Sequence, residues 1–451
     1  MAEPDPAAVL ITAPRQRIPR GRMALLFMVM LVTAAGNTAM QSVMPSIGTE
    51  LGVHDVWISL AYTWSALLWV ICAPLWARRS DRRGRKAMMA LGLIGFIASF
   101  ALCGVVLLFG LAGVLSGLWT LLFFAAARSL YGGFGSAAPP AVQAYVASRT
   151  PRAERTQAMA LIASSFGLGT VIGPALAPLL IFPATGLVGP FFAFALVGIA
   201  VLVALRTTLP DDDPMFAARS EVVAAPFSAN SNPRTTRDEA AEEGAIFAIP
   251  DLSWRDPRLR PWLVAGLIGG HAQAAFLGVV GFFILDRLGL RADPMAGAGP
   301  VGLVLMCGAI ATLLAQWGLI PMLKLGPRNS TLWGMALSMV GVAAFAFSHT
   351  IHAMAAGMAL ASLGFGLYRP GFTAGASLAV TRAEQGQVGG IVASLNGAAY
   401  VVAPALGVWL YGHHEAIGFL TICGLCAAVF VFGWRSLDSD EALEAPPARP
   451  G

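Results

Sequence analysis

Charge is what this 451-residue sequence has least of. Asp, Glu, Lys and Arg make up 12% of it, where a soluble chain carries about 25%. Hydrophobic residues make up 57%, more than an ordinary core can hide, so the chain reads as an integral membrane protein. Lysine is nearly missing: only Lys86 and Lys324 are present, both in polar loops. That argues against a retinal protein, which needs a lysine inside a helix. All 24 Asp and Glu residues lie in tails, loops or the ends of apolar runs, so no carboxylate pair is expected at membrane depth. An HExxH pair and a Walker-type phosphate loop are absent as well. These gaps argue against a membrane-embedded enzyme and an ATP-driven pump, and no cofactor is expected. The five cysteines, Cys72, Cys103, Cys307, Cys423 and Cys426, fall in apolar stretches. Cys423 and Cys426 form a CxxC that reads as small packing residues, so no metal site is expected.

Long apolar runs are what the chain has in excess. A helix needs about 20 apolar residues to cross the hydrocarbon. Twelve runs qualify, at residues 23–46, 56–77, 87–109, 118–146, 157–182, 190–206, 262–285, 299–323, 331–348, 353–378, 387–411 and 416–434. Such runs exclude the alternating strands of a barrel, and helices satisfy their own backbone groups in lipid. The expected fold is an all-α membrane protein, with twelve transmembrane helices in two pseudo-symmetric six-helix bundles. Residues 1–22 are polar, basic and Pro-rich and are expected to be disordered. Residues 23–206 form the first bundle, 207–260 a polar linker and 261–435 the second bundle. Residues 436–451 are an acidic, Pro-rich tail, also expected to be disordered.

The net charge of +5 is no nucleic-acid footprint, because the cations sit at span ends. Arg15–Arg22, Arg78–Lys86, Arg149–Arg155, Lys324, Arg328 and Arg382 fall on one side; only Arg287 and Arg291 fall on the other. Loops rich in Lys and Arg stay in the cytosol. Both termini and the linker are therefore expected inside, in a plasma membrane or bacterial inner membrane. The run Met23–Met44 is too long for a cleavable signal.

One stretch occurs twice. Residues 152–176 read RAERTQAMALIASSFGLGTVIGPAL, and residues 382–406 read RAEQGQVGGIVASLNGAAYVVAPAL. Without a gap, Arg152/Arg382, Glu154/Glu384, Gln157/Gln387, Ser164/Ser394, Gly167/Gly397 and Pro174/Pro404 are among the identical pairs. Upstream, GFG at Gly133–Gly135 with Pro139 recurs at Gly364–Gly366 with Pro370. Two halves carrying one pattern are the mark of a repeat-built transporter.

Between the second and third runs the chain reads ARRSDRRGRK, Ala77 to Lys86. This resembles the signature loop of the major facilitator superfamily, with Asp81, Arg82, Gly84, Arg85 and Lys86 matching, and Ala77 and Arg79 replacing the family's Gly and Leu. The resemblance implies a gate in which Asp81 faces the start of the eleventh helix near Gln387. Arg128–Gly133 (RSLYGG) is similar to the family's fourth-helix motif, with Tyr131 in place of Gln. Gly169–Pro174 (GTVIGP) resembles the fifth-helix motif of the 12-helix drug:proton antiporters, with Gly169, Gly173 and Pro174 in register. That branch implies efflux coupled to protons, by alternating access around a central cavity. Proton-coupled import of an organic acid or other metabolite is the alternative within transport, and a membrane receptor or membrane-embedded enzyme the more distant one. The expected partners are a small-molecule substrate, protons and the lipid bilayer, with no nucleic acid, and a monomer suffices.

Ionisable groups at membrane depth point to function, since they are costly there. The mid-span cations are Arg128, Arg369 and potentially His271, and the nearest acid is Asp286, at the end of the seventh run. Arg128 and Arg369 are read as anchors for a carboxylate or other anion, helped by Asn37, Gln41, Tyr131, Gln273, Tyr368 and Asn396. His271 is the proposed proton carrier and Asp286 the next candidate. A histidine hydrogen-bonded to its own helix backbone is an equally good reading of His271.

Overall fold

The computed structural model describes residues 18–150, 152–211, 252–380 and 384–440. Of the ends expected to be disordered, residues 1–17 and 441–451 lie outside them, as do residues 212–251 of the expected linker; Arg20–Arg22, expected in the first disordered end, instead open a helix. Also outside are the side chains of Asp81 and Arg82, of residues 152–157 and of 385–387.

Helices account for the described chain. α1 (Arg20–Glu50), α2 (Asp55–Arg83) and α3 (Arg85–Leu111) are continuous. The fourth span is α4 (Gly117–Gly133), a 3-10 turn (Gly135–Ala137) and α5 (Ala138–Arg149). α6 (Arg152–Leu176) and α7 (Gly189–Thr208) complete the six spans before the linker. After it come α8 (Arg260–Arg287) and then α9 (Pro294–Leu314), which runs through a π turn (Ala315–Leu319) into α10 (Ile320–Leu323). α11 (Pro327–Ala346), α12 (Ile351–Leu378), α13 (Gln385–His413) and α14 (Glu415–Ser436) follow. Each of the twelve expected spans corresponds to one of these segments. Among the described residues, nine are long and apolar enough to cross a membrane. Prolines open several helices, as in α8, α9 and α11, where a missing N–H costs nothing. Asp293 caps α9 by accepting from the Ala296 N–H at 3.2 Å.

The duplicated GFG motif has two outcomes. Around Gly364–Gly366, α12 runs straight on through Pro370. Around Gly133–Gly135 the helix breaks, a break that the continuous run at 118–146 does not foretell. Two consecutive prolines, Pro139 and Pro140, remove two N–H donors and crowd the preceding turn. The Ala137 N–H turns to the Phe134 carbonyl, and the Gly133 carbonyl accepts from Trp76 Nε1 at 2.5 Å and Ser136 Oγ at 3.0 Å. Gly84, between α2 and α3, has φ +87°, a conformation that a side chain disfavours.

The repeated stretch forms the seam between the halves. α6 packs on α1 within its own half and on α9 across the seam; α13 packs on α8 within its half and on α2 across the seam. The equivalent glycines of the repeat sit at these crossings. A Cβ at Gly167 would stand 2.9 Å from the Leu313 side chain, and one at Gly397 would stand 2.7 Å from Val70 Cγ2. Each half thus offers a notch that takes an aliphatic side chain from the other. Gly302 of α9 lies equally close to the Pro174 carbonyl, 2.7 Å from an added Cβ. Small residues permit such backbone approach in lipid, where close packing drives association.

Candidate functional site

Arg128 lies on α4 with 2% of its surface exposed. Its guanidinium carbon stands 4.5 Å from the Tyr131 ring centre and 5.9 Å from that of Phe100, both favourable places for a cation. Trp69 of α2 leans on Tyr131, with ring centres 5.1 Å apart. Nη2 donates to Asn37 Oδ1 on α1 at 2.9 Å. Nε and Nη1 are buried and have no acceptor. The Tyr62 and Tyr131 phenols and the Cys103 thiol lie within electrostatic reach of it. Among the described residues no carboxylate pairs with Arg128. α2 holds α4 in place: Trp64 Nε1 donates to Ser129 Oγ at 2.7 Å, and Ser65 Oγ to the Arg128 carbonyl at 3.4 Å.

Asn37 is half-buried, and Gln41, one turn along α1, is exposed. Helices of both halves pack against α1. Gln273 on α8 and Arg369 on α12 are also half-buried. Asn396 on α13 is 6% exposed and its Nδ2 has no acceptor. His271 is half-buried, and its Nδ1 lies 2.7 Å from the Leu267 carbonyl. A carbonyl only accepts, so Nδ1 is the donor in this contact. Tyr368 has its hydroxyl committed inside the second half: it donates toward the Gly266 carbonyl at 2.8 Å and the Ala265 carbonyl at 3.1 Å. Its ring stacks on Phe372 with centres 5.2 Å apart.

Gly169 and Gly173 meet α1. A Cβ at Gly169 would stand 2.7 Å from the Leu31 carbonyl, and one at Gly173 would collide with Thr38 Oγ1 and the Ala35 carbonyl. Thr38 Oγ1 also donates to the Gly169 carbonyl at 3.3 Å. Pro174 is inside α6, two residues before its end.

Asp286 stands at the end of α8 and belongs to a cluster joining the halves, on the face opposite the linker. At its centre is Arg291, in the α8–α9 connection. Arg291 Nη1 and Nη2 grip the two carboxylate oxygens of Asp55, at the start of α2, at 2.8 and 2.7 Å. Nη1 also donates to Thr49 Oγ1 in the last turn of α1 at 3.1 Å. Within its own half, Nε and Nη2 reach Asp286 at 2.7 and 3.1 Å, and Tyr411 donates to Asp286 at 2.6 Å. Burial works against the Arg291 charge, but the bonds to Asp55 and Asp286 outweigh it and hold its pKa above the usual arginine value. Nearby, Arg287 pairs with Glu415. Sequence reasoning missed Asp55, Arg291 and Tyr411 as a unit. The available signal was Arg291 itself, one of two cations on a face otherwise empty of them.

The linker face is fastened within each half. Lys86 pairs with Asp211 at 2.9 Å, and Arg85 is buried. Arg258 bridges Asp256 and Glu384 at 2.8 and 2.9 Å, tying the start of α8 to the start of α13. Hydrogen bonds from Arg258 hold the Asp256 carboxyl below the usual carboxylate range. The expected docking of Asp81 on the start of α13 lies outside the described residues, although α2 and α13 do pack together.

The helices, in two sets of six, define a multi-pass α-helical membrane protein. The sequence matches the Major Facilitator Superfamily over residues 26–324 and 317–451, and the chain belongs to that family. The multidrug resistance protein MdtG of Proteus mirabilis is 27% identical over 166 residues, 36% of this chain and 38% of that protein. The "Probable actinorhodin transporter" of Streptomyces coelicolor is 30% identical over 190 residues, 42% of this chain and 30% of that protein. The chain thus spans well under half the length of these curated relatives. The human organic anion transporter MFSD10 superposes with a TM-score of 0.62 at 19% identity, covering 92% of this chain and all of that one, which shows a shared fold. Two of these three relatives are named as transporters and the third as a multidrug resistance protein, and none as an enzyme.

Proposed function

We propose that this protein is a secondary transporter that exports a small organic solute bearing a carboxylate or other anion, in exchange for protons. The observation that carries the reading is Arg128. It is a buried guanidinium framed by rings, with two nitrogens lacking acceptors and no carboxylate paired with it among the described residues. A cation left so at membrane depth is costly, and an anionic substrate offsets that cost. A guanidinium also holds a carboxylate with two parallel hydrogen bonds. Arg369 serves as a second anchor on the opposite half. Asn37, Gln41, Tyr131, Gln273 and Asn396 supply polar contacts, and His271 carries the proton through Nε2. The substrate passes as the halves rock about their seam, with Asp81 and its loop steadying the closed linker face. The linker and both termini face the cytosol of a bacterial inner membrane, and a monomer suffices. The name of the relative MdtG, a multidrug resistance protein, supports export over import.

Proteoliposomes with an imposed pH gradient test this. Aromatic carboxylates should be transported in preference to permanent cations. Arg128→Ala and Arg369→Ala should each lose at least about tenfold in rate, the effect of about 1.4 kcal/mol. His271→Gln should flatten the pH dependence. Preferred transport of permanent cations would remove the anion claim. Unchanged pH dependence in the His271→Gln protein would move the proton elsewhere.

A further inference from the structure

We infer that Asn37 sets the charge preference of the site, by orienting Arg128 without neutralising it. The inference rests on the anion-transport reading and names the residue that makes the site anion-selective. A guanidinium has five N–H donors and no acceptor, so the atom of Asn37 that faces Arg128 at 2.9 Å must be the amide oxygen. The same constraint turns the Asn37 amide nitrogen, with its two N–H donors, away from Arg128. Asn37 is half-buried and Gln41, one turn along the same helix, is exposed, so that nitrogen stands on the accessible side of α1.

The consequence is a site made of donors. Arg128 contributes Nε and Nη1, which have no acceptor, and Asn37 contributes its amide N–H groups. The phenols and the thiol around the guanidinium carry no charge at neutral pH. Aspartate has nearly the shape of asparagine but differs in two respects. It would bring a negative charge within hydrogen-bond distance of Arg128, and it would replace the outward donor with an acceptor. An acid at position 37 would therefore occupy, from within the protein, the role that the reading assigns to the substrate. Among the described residues Asn37 is the only side chain hydrogen-bonded to the Arg128 guanidinium, so this choice rests on one position.

The test compares wild type, Asn37→Asp and Asn37→Ala, each purified at full length. The probes are a set of aromatic monocarboxylates, their uncharged amides and tetraphenylphosphonium. Affinity is read from the ligand-induced shift in unfolding temperature and, independently, from competition in proteoliposome transport. Wild type should prefer each carboxylate to its amide. Asn37→Asp should lose that preference by at least about tenfold and bind the amides or the cation no worse. Asn37→Ala keeps the Arg128 charge, so it should bind all ligands more weakly but still favour the carboxylate. A wild-type carboxylate preference retained in Asn37→Asp would overturn the inference while leaving the transport reading intact. So would a preference lost in Asn37→Ala, which also decides the matter should the aspartate variant fail to fold. A wild type with no carboxylate preference would defeat the transport reading first, and this inference with it.

Discussion

Asp55→Asn removes one charge from the cluster opposite the linker and leaves its shape. Arg291 then loses the bidentate charged pair that ties the α8–α9 connection to α2. Hydrogen bonds to charged groups contribute about 1.5–3 kcal/mol when shielded, and fully exposed ion pairs about 0.2–1 kcal/mol. Here the Arg291 and Asp55 side chains are 31% and 21% exposed, so the loss falls between, at about 1–2 kcal/mol. The pair joins the halves only when this face is closed, so the whole loss appears as a shift toward the form open on this face. That shift is about 5- to 30-fold in population. Ser46 is a fitting reporter, since it is fully buried on α1 just below the cluster. In a background without the five native cysteines, Ser46→Cys should react with an impermeant maleimide added from that side. The rate should rise about 5- to 30-fold when Asp55→Asn is added. Arg291→Gln, made from the other half, should act in the same direction. The two together should exceed neither by much, because they break one interaction. An unchanged rate in both single variants, at normal expression, would refute the idea that this cluster holds the halves together.

Three further outcomes follow from the seam and the loops. Gly397→Ala places a methyl 2.7 Å from Val70, an overpacking of about 1–3 kcal/mol; transport should fall and Val70→Ala should restore it, while failure of that rescue would remove the notch from the account. Cysteines at Ser220 and Gly412 report topology: external labelling should reach Gly412→Cys and spare Ser220→Cys, and the reverse would invert the proposed orientation. Asp81→Asn should slow transport without loss of expression, a charge–helix contact being worth about 0.3–2 kcal/mol; wild-type rates would leave the loop with no role beyond topology.

Much of this architecture can be read from residues alone, for reasons that differ by feature. The spans show because lipid forces about 20 apolar residues together. The repeat shows because RAE, Gln157/Gln387 and PAL hold one spacing, and the structure turns that repeat into the helices of the seam. Gly84 was legible as part of the signature loop, and its φ of +87° is one that few other residues tolerate. The break at Gly133–Ala137 was not, because an apolar run looks the same whether or not its backbone is continuous. Residue types at the centre were legible, but their pairing was not. Arg128 and Asn37 are separated by 91 positions and Arg291 and Asp55 by 236, and no local pattern spans such distances. Tyr368 illustrates the converse. Its polar tip looks like a ligand contact, yet a buried hydroxyl needs an acceptor, and the backbone of α8 lies close enough to supply two.

The notch at Gly397 also fixes a lever ratio. Val70 lies 15 residues from Asp55 and 13 from Arg83, so at 1.5 Å per residue it divides α2 into arms of about 22 and 20 Å. If Val70 is the fulcrum, α2 is a seesaw with nearly equal arms, and what one face gains in width the other loses. A tilt of about 5° moves the Asp55 end by about 2 Å on that geometry, enough to part bonds of 2.7 and 2.8 Å. The Arg291 cluster therefore lets go at the start of the stroke. It resists the first few degrees and is silent over the rest, so it governs how often the protein turns over to the other side, not how wide it opens once it has.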